Sequence, residues 1–70
     1  MNKMKVEITS VPDRENLVAE IWFDENLIAE VYQENEVLNV EFYISPGMAL
    51  PFEEFQEALK IAKDKLAKDC

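Results

Sequence analysis

The sequence predicts a two-layer α+β domain: a four-stranded antiparallel meander sheet packed on one C-terminal helix, in the order ββββα. Three observations carry this expectation. Apolar and polar residues alternate through four short segments between Met4 and Ile44. The last three segments are joined by links of only a few residues, too short for anything but antiparallel neighbours. From Phe52 onward the apolar period changes from 2 to 3.6 residues.

Met4, Val6 and Ile8 alternate with Lys5, Glu7 and Thr9, which reads as a first strand over about 4–9. Ser10 to Asn16 interrupts it with turn chemistry centred on Pro12-Asp13. The second and third strands span about 17–23 and 27–33, separated by Asp24-Glu25-Asn26. A three-residue hairpin link needs a left-handed residue at its third position, and Asn26 tolerates that. Such a link pairs Phe23 with Leu27, Ile21 with Ala29 and Ala19 with Val31, an all-apolar set that a one-residue slip would break. Glu34-Asn35 then turns the chain into a fourth strand over about 37–44. Its expected pairs are Val31 with Leu38, Ala29 with Val40 and Leu27 with Phe42.

Ser45 to Pro51 is a loop holding the one glycine and two of the three prolines. Pro51 suits a first helical turn, where a backbone N–H has no partner to lose. Phe52, Phe55, Leu59, Ala62 and Leu66 follow as one stripe at helical spacing, a helix over about 52–68. Glu53, Glu54 and Glu57 near its start, and Lys63, Lys65 and Lys68 toward its end, complement the helix dipole. This stripe is expected to cover the apolar sheet face, including Leu38, Val40 and Phe42 of the fourth strand.

The 70 residues are expected to form one domain over 1–70. Fifteen Asp and Glu stand against seven Lys and Arg, a formal net charge of −8. Nucleic-acid phosphates would repel such a chain, so direct nucleic-acid binding is not expected. The absence of histidine removes the commonest general base and metal ligand. There is no glycine-rich phosphate loop and no Cys/His cluster, so the reading is a non-enzymatic protein with no cofactor and no metal. Cys70 is a lone thiol, unable to form an internal disulfide. No apolar leader follows the charged N-terminus and no run approaches bilayer length, which makes a cytoplasmic protein away from the membrane the expectation.

One helix covers one face. The opposite face is expected to carry Val18, Glu20, Trp22, Ile28, Glu30, Tyr32, Val37, Asn39, Glu41 and Tyr43, with Glu20 directly opposite Glu30. Opposed like charges cost stability, and three exposed aromatics are unusual on a solvent face. Trp and Tyr are favoured interface anchors, and carboxylates select a basic partner and speed encounter. Glu20, Trp22, Ile28, Glu30, Tyr32, Glu41 and Tyr43 are therefore the candidate binding residues, for a basic protein partner. A homodimer joined through the same face is the alternative. The charge distribution points the same way: from Glu15 to Leu59 there are eleven acids and no Lys or Arg.

Ala19-Glu20-Ile21-Trp22-Phe23-Asp24, the Gln33-Glu34 turn and Ala58-Leu59-Lys60-Ile61-Ala62-Lys63 together carry a family resemblance. The A-E-I-x-x-D strand, Q-E turn and A-L-x-x-A-K helix resemble small bacterial toxin-immunity proteins of the immunity-protein-10-like type. The resemblance covers about 17–66. It implies a bacterial cytoplasmic protein that neutralises a toxin by binding it, and it supplies no catalytic residues.

Overall fold

A computed structural model describes residues 4–10 and 17–68. The Pro12-Asp13 turn, the charges of Lys3 and Arg14, and Cys70 lie outside the described residues. The elements are β1 (Met4–Thr9), β2 (Val18–Phe23), β3 (Asn26–Glu34), β4 (Val37–Phe42) and α1 (Phe52–Lys68). The strands form one antiparallel sheet in the order β1-β2-β3-β4, with the helix packed against one face. This is the expected ββββα meander.

Two details of register differ from expectation, and each has a local cause. Asp24, with φ 56°, takes the left-handed position expected of Asn26. The link is therefore a two-residue turn, Asp24-Glu25, and Phe23 pairs with Asn26. Ile21 still pairs with Ala29 and Ala19 with Val31, as the apolar pattern requires. The two registers are reconciled by a β-bulge: Trp22 pairs with Leu27, and Ile28 is the extra residue.

The second turn is Asn35-Glu36, one residue later than expected, with φ 54° and 64°. Positive φ at both central residues is the signature of a type I′ turn, whose twist suits a hairpin. The β3–β4 register shifts by two: Val31 pairs with Val40 and Ala29 with Phe42. A two-residue shift keeps every side chain on its expected face, which is why alternation alone could not detect it. Tyr43 extends the ladder one step past β4, its N–H donating to the Ile28 carbonyl at 2.9 Å.

The loop after β4 contains a third constrained turn. The Met48 N–H donates to the Ser45 carbonyl at 3.1 Å, with Pro46 and Gly47 between them and Gly47 at φ 83°. Proline then glycine is what a type II turn demands. The Pro51 carbonyl accepts from the Phe55 N–H at 3.0 Å, so Pro51 sits at the helix cap and α1 begins at Phe52 as the sequence predicts.

The core is built from Ala19, Ile21, Ile28, Ala29 and Val31 of the sheet and Ala58, Ala62 and Leu66 of the helix. Met4, Val6, Ile8, Phe23, Phe55 and Leu59 pack around it. Alanines on both sides of the interface let the helix lie close to the sheet. The helix lies over β1 and β2 and reaches β3, but its backbone stays away from β4. Its ring contact with that strand is Phe42 to Phe55, centroids 6.1 Å apart. Leu38, Val40 and Phe42, expected under the helix, are consequently 41%, 39% and 52% exposed, and Phe52 at the helix start is 77% exposed.

Candidate functional site

The face away from the helix carries the candidate binding residues. In an antiparallel sheet, directly opposed residues project to the same side. Glu7 pairs with Glu20, Glu20 with Glu30, and Glu30 with Glu41. Four glutamates, one from each strand, therefore form a straight row across the whole sheet. At the usual strand separation the row is about 14 Å long.

The row is flanked by aromatics with polar tips. Trp22 and Tyr43 lie on one side of it; Tyr32, paired with Asn39, lies on the other. Several of these groups are wired to the carboxylates. The Trp22 indole Nε1–H donates to Glu20 Oε1 at 3.3 Å. The Tyr43 hydroxyl donates to Glu30 Oε1 at 3.0 Å. Lys5 pairs with Trp22 across the strands, its ammonium 5.9 Å from the indole centroid, and its Nζ is 3.2 Å from Glu7 Oε2. Each opposed pair of carboxylates costs a few tenths to about 1 kcal/mol. The Trp22 and Tyr43 donors and the exposed Lys5–Glu7 pair relieve that in part, an exposed ion pair contributing about 0–1 kcal/mol. Glu7 and Glu41 are exposed, and Glu20 and Glu30 are half-buried.

Six of the seven expected binding residues are on or beside this row: Glu20, Trp22, Glu30, Tyr32, Glu41 and Tyr43. Ile28 is not. As the bulge residue it turns to the helix side and is 1% exposed in the core. Leu27 takes the place beside Trp22 instead. Val18, also expected on the open face, is fully buried opposite Thr9 and stands apart from the helix-side core. Glu7 and Lys5 belong to the face and were not anticipated. The link from Ser10 to Asn16 is too long to set the β1–β2 register from sequence, although Lys5-Val6-Glu7 alternation already places both residues on the non-core side.

Among the described residues, no group of three or more His, Cys, Asp or Glu is placed to hold a metal ion. An open groove of about 520 Å³ lies elsewhere, between β1 and α1, lined by Met4, Val6, Ala58, Ile61, Glu57 and Lys65. No polar or charged side chain among the described residues is buried, so neither place holds a desolvated acid or base. Among the described residues no helix is long and apolar enough to cross a membrane. Comparison with protein-family models, with curated proteins and with solved structures finds no match for this chain.

Proposed function

We propose that the chain is a non-enzymatic binding module that occludes a basic surface of a protein partner, in the manner of a toxin-immunity protein or an inhibitor of a defence system. The observation that carries this reading is the four-strand glutamate row. A sheet built for folding alone gains nothing from three consecutive opposed carboxylate pairs, whereas a surface that receives Lys and Arg side chains gains from every one of them. Trp22, Tyr32 and Tyr43 supply apolar contact area on either side of the charges. A guanidinium placed over the row can bond two carboxylate oxygens at once, which favours arginine in the partner.

Glu30→Lys tests it without confusing binding with unfolding. The new ammonium sits between Glu20 and Glu41, so the variant is expected to be at least as stable as the parent by denaturant titration, gaining up to about 0.5 kcal/mol. Immobilised parent protein is expected to retain a basic protein from native-host lysate at low salt and release it as salt rises. The Glu30→Lys protein retains none. A captured protein held equally by both would remove the row from the site.

A further inference from the structure

The geometry points to a second interface, distinct from the acidic face: the free edge of β4 is a two-fold seam at which two copies of this chain join into a continuous eight-stranded sheet. This does not rest on the role proposed for the glutamate row.

The sheet has two edges, and they differ. At β1 the edge carries charged, exposed Lys5 and Glu7, and the helix lies over it. Edge lysines and covering elements are the usual protection against strand pairing. At β4 that protection is missing among the described residues. The strand reads Val37-Leu38-Asn39-Val40-Glu41-Phe42, with no Lys, no Pro and no covering helix. Leu38, Val40 and Phe42 project to the helix side yet remain exposed. Phe52, one helical turn before the Phe55 ring that meets Phe42, extends the apolar strip. The strip is uncharged within a stretch otherwise rich in acids.

Backbone direction singles out the same residues. The Tyr43 N–H points into the sheet, to Ile28. Antiparallel alternation then turns the N–H and C=O groups of Glu41 and Asn39 inward as well, and those of Leu38, Val40 and Phe42 outward to the free edge. A second β4 paired antiparallel about a two-fold axis at Val40 sets Val40 against Val40 and Leu38 against Phe42. Every outward donor and acceptor of the three residues is then used. The same register sets Glu41 opposite the Asn39 amide of the other copy, not opposite a second carboxylate. A slip of one residue would turn the apolar strip of one copy to the wrong face. No residue of β4 that projects to the helix side carries a carboxylate for a basic partner, whereas a second copy matches both faces of the strand.

The association is isologous and opposed by the charge of −8 on each copy. It is therefore expected to tighten as NaCl is added, the opposite of contact with a basic protein. Sedimentation at high micromolar concentration is expected to give twice the 8.1 kDa mass of one chain. Val40→Pro removes an outward N–H without touching the β3 ladder, and Leu38→Glu places a charge in the seam while leaving the backbone intact. Both are expected to give a single-chain mass with unchanged circular dichroism. Trp22→Ala, on the open face, leaves the dimer in place. Amides of Leu38, Val40 and Phe42 gain exchange protection with rising concentration. A parent protein monomeric at every concentration and salt overturns the seam. So does a dimer lost in Trp22→Ala but kept in Leu38→Glu, which would move the contact to the open face.

Discussion

At the scale of single residues, the fold bears two kinds of cost, one at the turns and one on the open face. Glu36 occupies a left-handed position at φ 64°, where a β-carbon costs about 1–2 kcal/mol and glycine costs nothing sterically. It is also the second central residue of a type I′ turn, the place where glycine is preferred. Glu36→Gly is expected to raise the thermal midpoint by about 4–8 °C, corresponding to a net gain of about 1 kcal/mol in a domain of this size. The measurement is a melting curve by circular dichroism. An unchanged or lowered midpoint would mean that the turn does not hold Glu36 as described. The glutamate row is the other cost, and it differs in kind, because its carboxylates lie where a partner can reach them. What sequence could read at this scale was residue type. The acids and aromatics of the open face were evident from alternation, but the exchange of Ile28 for Leu27 was not. A bulge leaves no mark in a run of apolar residues, since Leu27-Ile28-Ala29 looks equally apolar in any register.

At the scale of elements, all four strands and the helix were legible because each has a clear period and a clean stop. The helix bounds follow from Pro51 and from the change of period at Phe52. Where the helix lies on the sheet was not legible. A stripe at helical spacing says that a face is buried, but not which strands bury it. The answer lies in side-chain size. Ala19 and Ala29 make a shallow place in the sheet, and Ala58 and Ala62 make the matching shallow face of the helix, all of them buried. Bulkier Leu38, Val40 and Phe42 lie beyond that contact. Ala62→Leu is expected to force the two layers apart and to cost about 1–3 kcal/mol. Urea titration of the variant reads this directly. A stability within a few tenths of the parent would show that the layers have room to spare.

At the scale of the whole molecule, one charge sign dominates a small body, and screening should be visible in its stability. The net charge of −8 is distributed so that Lys60, Lys63 and Lys65 lie on the helix while β2, β3 and β4 carry no cation. Like charges destabilise the compact state. The melting temperature of the dilute chain is therefore expected to rise with NaCl, measured by calorimetry below the concentration at which copies associate. A fall with salt would mean that attractive pairs such as Lys5 with Glu7 outweigh the repulsion. The placement of the helix has a further consequence, for synthesis on the ribosome. The helix is made after all four strands and packs mainly on the first two, so the meander is complete by Tyr43 while its apolar face still waits for residues up to Leu66. At ordinary elongation rates that wait is roughly 1–5 s. Until the helix docks, the apolar face of the sheet has no cover from the described residues.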